Sequence, residues 1–335
     1  VEQILSRVDR LPTLSPVAAR LLRMGEGDEA GLNEVVPLVE SDAPLSAAVL
    51  GLCRRSDKGL GEKITTVRRA VVMLGFSALR SLVLSVSVYE TLGGREHAQS
   101  RFDDDGEIGG LNTGGGADGR GIDRRGLWKH LVATASGAEL IAKEHKGLGV
   151  RSDEAFTAGL LHGLGRLALE LALPRAYGRV AQVAEERRSA SAVVERQTLG
   201  VDHHTAGRRL AERWGLPHGV VETIWLHGQG VGGLPKTVNA RLIGVVTLAR
   251  AWAREHHLGW SGDFDETGGL SELARGLGVE ESALDGMSAA LVEECAARCG
   301  LLGLDEQTDS ELLLESVSRA NRRLGRLNAA LSARA

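Results

Sequence analysis

Apolar positions along this chain recur at helical rather than strand spacing. β-branched runs are few, and alanine, leucine, arginine and glutamate, all helix formers, dominate. The pattern predicts an all-α protein. Ser15 is placed to cap a helix over 17–24, with Pro16 at its first position. Leu32, Val35, Val36 and Val39 share one face of a helix over 32–40, and another follows over 44–54. Thr66 is expected to cap 67–74, and Gly75 to separate that helix from 78–89. Further helices are expected over 127–146, 153–173, 177–188, 191–199, 203–214, 218–227 and 238–254, with Pro174 as the stop after the second of these. Shorter ones are expected over 270–277 and 281–299.

Two stretches break the pattern. Residues 93–126 hold 11 glycines in 34 positions, a composition neither helix nor strand can use, and are read as a flexible surface insertion. Its Asp103-Asp104-Asp105 run lacks the spaced ligands of a calcium loop. At the other end, Leu313, Val317, Ala320, Leu324, Leu327 and Leu331 alternate steps of four and three, a short heptad seam suited to extending a dimer interface.

Composition narrows the functional classes. Forty basic and 44 acidic residues give a net charge of −4, so nothing overall draws the chain to nucleic acid or to an anionic membrane. The helix pair around Ser41-Asp42 offers alanine, leucine and glycine where a DNA-reading helix would offer basic and amide side chains. The apolar run 70–89 contains Arg80, Gly75 and four serines, which favours buried helices over a membrane span. Cys53, Cys295 and Cys299 make no disulfide framework, and a cytoplasmic location is expected. Cys295 and Cys299, four apart, are read as a half-buried helix face.

The candidate chemistry lies in histidines. His130, His162, His203 or His204, and His227 fall at helix ends or beside loops and could converge. His97, His145, His218, His256 and His257 are read as surface or hydrogen-bonding residues. Leu161-His-Gly-Leu-Gly-Arg166, between two apolar runs, resembles the His-Asp-x-Gly-Lys junction of HD phosphohydrolases. The order of several motifs extends the likeness. These are Leu11-Pro12 with Ser15-Pro16, Glu40-Ser-Asp-Ala-Pro44, Ile64-Thr-Thr-Val-Arg-Arg-Ala-Val-Val-Met-Leu-Gly75, Trp128-Lys-His130, Leu199-Gly-Val-Asp-His203 and Trp214-Gly-Leu-Pro217. Together they resemble an HDOD domain over about residues 11–254.

That resemblance implies a metal set of His130, His162, an aspartate at 163 and another at 250, of which the last two are Gly163 and Arg250 here. His227-Gly228 likewise stands where metal-loaded relatives have two histidines. Losing two anionic ligands and gaining a guanidinium should nearly abolish divalent-metal affinity at that set, and water activation with it. No catalytic residue, metal or cofactor is therefore expected. His130, His162, His203, His204, His227, Arg166 and Arg250 remain as candidates for a ligand site or residual pocket, the buried histidines being held by backbone carbonyls and by Asp202 or Glu139.

The expected organisation is an HD/HDOD-like multi-helix bundle over 1–259, with an N-terminal helical segment over 1–92, the insertion over 93–126 and an HD-like helical segment over 127–259. A helical extension over 260–312 and a coiled-coil-like connector over 313–335 follow. The expected function is a non-catalytic signalling module, a homodimer through its C-terminal helix. It would sense a ligand or partner and relay the change to a downstream output domain or signalling protein. The resemblance suggests a GGDEF diguanylate cyclase, whose sequence this chain does not contain. One alternative is a degenerate metal-dependent phosphohydrolase recruiting Glu139, Glu170 or Asp202 as ligands. The other is a nucleic-acid-binding regulator.

Overall fold

The computed structural model describes residues 1–23, 66–69, 76–92, 122–229, 239–264 and 269–302, with isolated residues between these stretches. Among the described residues there are helices and no strands, so the all-α expectation holds. The helices are α1 (Glu2–Val8), α2 (Pro16–Arg23), α3 (Phe76–Leu92), α4 (Arg124–Glu144), α5 (Ser152–Leu161), α6 (Leu164–Ala172) and α7 (Pro174–Glu186). Then come α8 (Ser191–Leu199), α9 (His203–Arg213), α10 (His218–Leu226), α11 (Ala240–Glu255), α12 (Leu270–Leu277) and α13 (Glu281–Leu301).

Helix α4 is the axis of the bundle because it is apolar or small nearly all round. Leu127, Trp128, Leu131, Val132, Ala133, Ala135, Ala138 and Ile141 are all buried. A helix without a polar face must be covered on every side. Helices α5, α11 and α13 cover it. Fully burying a leucine- or phenylalanine-sized side chain contributes about 1.5–3 kcal/mol, so this one helix supplies a large share of the favourable term. Trp128 also meets the Tyr89 ring edge-on at 5.1 Å, tying α4 to α3.

The N-terminal helices lean on the same body. Ser15 accepts a hydrogen bond from the Ala18 backbone at 3.2 Å, the cap expected for α2, and Thr66 accepts from Arg69 at 3.2 Å. Asp9 pairs with Arg209 of α9 at 2.7 Å, and the Trp214 indole donates to the Pro12 carbonyl at 3.2 Å. Arg80, the charge inside the apolar run, is buried against Asp153. No described helix is long and apolar enough to cross a membrane.

Three local expectations change. The helical stretch foreseen over 153–173 through the glycine turn is two helices, α5 and α6, broken at His162 and Gly163. Pro174 occupies the first position of α7, so it starts a helix where it was expected only to stop one. The stretch 122–126 belongs to the packed body, because Ile122 is buried and Asp123 caps α4 through the Gly126 amide. The remainder of the glycine-rich insertion, His97, Cys53, most of the Asp42 helix pair and the connector 313–335 lie outside the described residues.

Beyond α11 the chain stays against the bundle. Gly259 has φ +77°, and a Cβ there would lie 2.3 Å from the Gly126 carbonyl. The next residue, Trp260, donates its backbone N–H to that carbonyl at 2.8 Å. From this anchor residues 260–264 cross the end of the bundle. Helix α13 then packs on α4, where Arg298 reaches Ser136 at 2.7 Å and Glu139 at 2.6 Å and lies over the Phe156 ring. Cys295 and Cys299 are buried on this helix with their sulfurs 3.9 Å apart.

Candidate functional site

The break between α5 and α6 places His162 at the C-cap of α5 and brings Arg166 onto the first turn of α6. Helices α6 and α9 touch through glycines. A Cβ on Gly165 would sit 1.7 Å from the His203 carbonyl, and one on Gly207 would sit 3.1 Å from the Gly165 Cα. Only hydrogens fit there, and this contact sets the start of α9, His203-His204, beside the α5–α6 junction. Asp202 caps α9 by accepting from the Thr205 amide at 2.8 Å. His227 is the C-cap of α10, and His130 projects from the second turn of α4.

The five candidate histidines do converge. Ring centroids lie 5.7 Å apart for His130–His162, 5.0 Å for His162–His227, 4.6 Å for His204–His227 and 4.0 Å for His203–His204. Four are buried, and His204 is partly buried. Several rings are oriented by oxygen acceptors. The Nδ1–H of His162 donates to Gly159 O at 2.6 Å, and that of His227 faces Thr223 O and Ile224 O at 3.1 Å. The Nδ1–H of His203 donates to Glu195 Oε2 at 2.6 Å. Each Nδ1 facing an oxygen must carry the proton; in His162 and His227, whose charged form burial disfavours, Nε2 is then the lone-pair nitrogen of a neutral ring.

Burial is the main reason four of these rings, His130, His162, His204 and His227, resist protonation. It lowers His162 and His204 to about 3, with the charges of neighbouring rings and arginines adding to the effect. His130 and His227 are pushed well down by burial first and then by the same neighbours.

Next to the rings lies an ionic layer. Asp263, from the strap 260–264, receives Arg166 at 2.7 Å and also contacts Arg250. Arg166 stands 3.8 Å from Glu195 as well, and Tyr177 donates its hydroxyl to Glu195 at 2.8 Å. Ser191 donates to the Gly262 carbonyl, and Arg254 to that of Asp263. Burial works to raise the Asp263 carboxyl, but Arg166, Arg250 and His203 hold it well below the usual carboxylate range. Glu195 is held down likewise, with His203 and then Arg166 overcoming its burial. Burial works against the Arg166 charge, and Asp263 overcomes this and raises its pKa.

The metal set implied for an HD hydrolase does not fit these residues. A Cβ on Gly163 would lie 2.6 Å from Leu131 Cδ2, so a leucine fills the space a carboxylate would need. Arg250 is buried and committed to Asp263. None of the three substitute carboxylates serves the cluster either. Glu139 pairs with Arg298 and Lys143, Glu170 with Arg124, and Asp202 with Arg196 and the α9 cap. The expected support of the rings by Asp202 or Glu139 is therefore corrected: the carboxylate is Glu195.

Sequence reasoning missed Glu195, Tyr177, Ser191 and Asp263. Glu195 had a signal, since it lies three residues after Ala192 and four before Leu199, on the apolar stripe of α8, where it is fully buried. Asp263 had none, because a loop aspartate carries no periodicity. His145, His218, His256 and His257 stay outside the cluster; His218 is exposed, and the other three are partly buried.

Comparisons with known proteins bear on the fold. A curated relative is an uncharacterized protein from Treponema pallidum (strain Nichols), 26% identical over 224 residues; the match covers 67% of this chain and 39% of that protein. This chain thus spans well under half the length of that relative. Among solved structures, an HDOD domain protein from Geobacter sulfurreducens superposes with a TM-score of 0.69 at 22% identity, covering 90% of this chain and 98% of the other. A chain from Marinobacter aquaeolei VT8, provisionally named a signal transduction protein, gives 0.68 at 21% identity, with 91% and 65% covered. One from Shewanella amazonensis SB2B, provisionally named a phosphohydrolase, gives 0.63 at 22%, with 90% and 98% covered. These likenesses are of fold. The family model of the HDOD domain matches residues 11–105 and 112–229, most of the chain, and the chain belongs to the HDOD domain family.

Proposed function

We propose that this HDOD chain is a non-catalytic regulatory module that senses a ligand or partner and passes a packing change to an output domain. One observation carries the reading. The junction that would hold a hydrolytic metal is occupied by the chain's own groups, with Leu131 against Gly163 and Asp263 joining Arg166 to Arg250. A site so filled has no carboxylate pair with which to bind a hard cation and activate water. The relay would run through the C-terminal segment 313–335, whose heptad seam would also join two copies.

The competing reading is a degenerate phosphohydrolase, which the provisional name of the Shewanella relative suggests. The ion pairs of Glu139, Glu170 and Asp202 weigh against it, because each would have to break to supply a ligand.

Phosphodiester and nucleotide substrates, screened with Mg2+, Mn2+ and Zn2+, should give no hydrolysis above the metal blank. A metal-dependent activity abolished by His162→Ala would overturn the proposal. For the relay, removal of residues 313–335 should turn a dimer into a monomer in light scattering. A shortened chain that stays dimeric would remove the seam from the mechanism.

A further inference from the structure

We propose that Cys295 and Cys299 of α13 form a two-sulfur binding site for one thiophilic monovalent ion, Cu+, on the face that packs against α4. This site goes beyond the regulatory reading and does not depend on it. Residues four apart fall on one face of a helix, and both cysteines are buried, 5% and 4% exposed. Their sulfurs stand 3.9 Å apart, and the Cys295 thiol also faces the Lys129 carbonyl of α4 at 4.0 Å. Neither is in a disulfide. The bundle has brought two soft donors together and shielded them from solvent.

The spacing opposes a disulfide and favours an ion. Helical residues four apart keep their Cβ atoms about 5–6 Å from each other, whereas a disulfide needs about 3.5–4.5 Å. Closing one would unwind the turn that carries Arg298, which holds Ser136 and Glu139 of α4. An ion makes no such demand. Thiolate–metal bonds of about 2.3 Å reach one centre from sulfurs up to about 4.6 Å apart, so the pair opens by less than about 1 Å. Side-chain torsion supplies that with the helix intact.

The choice of ion follows from the donors. Among the described residues no His, Asp or Glu ligand atom lies within 4.8 Å of both sulfurs, so they do not complete a tetrahedral Zn2+ site. Mg2+ and Ca2+ require oxygen ligands. Soft thiolates select Cu+, an ion that two of them satisfy. The absence of a second ligand pair, which argues against zinc, therefore does not argue against copper.

Charge and access both permit it. Each thiol gives its proton to solvent, and one Cu+ held by two thiolates leaves the site with a single negative charge. The hydrogen bond with Cys299 lowers the Cys295 pKa against its burial, and the positive charges of Arg298 and Lys129 add to the effect. Arg298 also serves Glu139 and Glu294, so Lys129 is the cation less committed elsewhere on α13. Cys299 lies in the last turn of α13, and helix ends fray, which gives the ion a way in.

The test uses the full chain, reduced and without a histidine tag, titrated anaerobically with Cu+ against a chromogenic Cu+ chelator. One Cu+ per chain should be withheld from the chelator and show the ultraviolet charge-transfer absorption of copper–thiolate bonds, and excess Zn2+ should not displace it. Cys295→Ser and Cys299→Ser should each weaken binding at least about 100-fold, beyond the usual loss for an outer partner. Cys53→Ser and His204→Ala should leave binding unchanged. Should a cysteine variant fail to fold by circular dichroism, X-ray absorption of the copper-loaded wild type still decides, with two sulfur scatterers and no imidazole expected. No stoichiometric Cu+ binding, or binding indifferent to Cys295→Ser and Cys299→Ser, overturns the site. Binding abolished by Cys53→Ser or His204→Ala would also overturn it and would place the ion elsewhere in the chain.

Discussion

Two buried polar regions meet at the α5–α6 junction, and they are held in opposite ways. On one side, Arg166, Arg250, Asp263 and Glu195 are charged and mutually paired. On the other, five histidines crowd together, and nitrogens of His130, His203 and His204 have no hydrogen-bond partner among the described residues. The ionic side uses its polarity to hold the strap 260–264 to the bundle. The histidine side leaves part of its polarity uncommitted. Paired buried charges lock an arrangement, and removing one partner leaves the other uncompensated. The neutral rings of His130, His162, His204 and His227 lock less.

The largest break in this comparison should come from Asp263→Ala. It leaves Arg166 and Arg250 without their shared carboxylate, and losing one partner of a buried ion pair costs about 3–5 kcal/mol. Urea unfolding followed by circular dichroism measures it. A loss under about 1 kcal/mol would mean that the strap is not seated on the two arginines.

Acid separates the two sides without mutation. His130, His162, His204 and His227 all have folded values below that of a free imidazole, near 6.5, with His162 and His204 at about 3. As pH falls through 6.5 the unfolded chain takes up protons that the folded chain refuses, so stability drops. Each such group contributes about 1.4 kcal/mol per pH unit until its folded value is reached. The carboxyls Asp263 and Glu195 are also held low, but their unfolded counterparts titrate only near about pH 4. Several kcal/mol should therefore be lost between pH 6.5 and 4.5 from the histidine side alone, and the Asp263→Ala variant should show the same slope in that window. A flat profile there would remove the buried neutral rings from the account.

Gly163→Asp probes whether the missing carboxylate can simply be supplied. Its Cβ would press on Leu131, whose side chain can give way only to a degree, and overpacking of this kind costs about 1–3 kcal/mol. The thermal midpoint should fall, and hydrolysis of phosphodiesters should not appear, since Arg250 still holds the second position. An active variant would show that one carboxylate suffices.

Much of the architecture was legible in the chain. The expected helices over 191–199 and 270–277 coincide with Ser191–Leu199 and Leu270–Leu277, because Gly200 and Gly278 end them in the left-handed conformation. Convergence of the histidines was legible too, from their positions at helix ends. The ionic layer was not. Arg166 and Arg250 could be named as candidates, but their partner sits in a loop 13 residues after Arg250, and only the Gly259 turn against Gly126 brings it home. Periodicity reports which face of a helix is buried; it is silent about where an irregular strap returns. The junction at His162-Gly163 was legible as a glycine turn between two apolar runs.

The smallest effect is the sharpest test of the histidine side. His130 is 1% exposed, neither ring nitrogen closes a well-formed hydrogen bond although the Leu258 backbone faces the ring, and the ring meets the edge of His162. Replacing a buried polar group by an apolar one of similar size costs little when that group had no partner, and can even stabilise. His130→Leu should therefore shift the unfolding free energy by less than about 1 kcal/mol in either direction, while flattening the acid profile by one group's share. Should it instead cost about 3 kcal/mol, as loss of a satisfied buried hydrogen-bonding group would, His130 must be engaged by something in the folded protein. The contrast between a locked ionic side and a less engaged histidine side would then fail at one of its most buried rings.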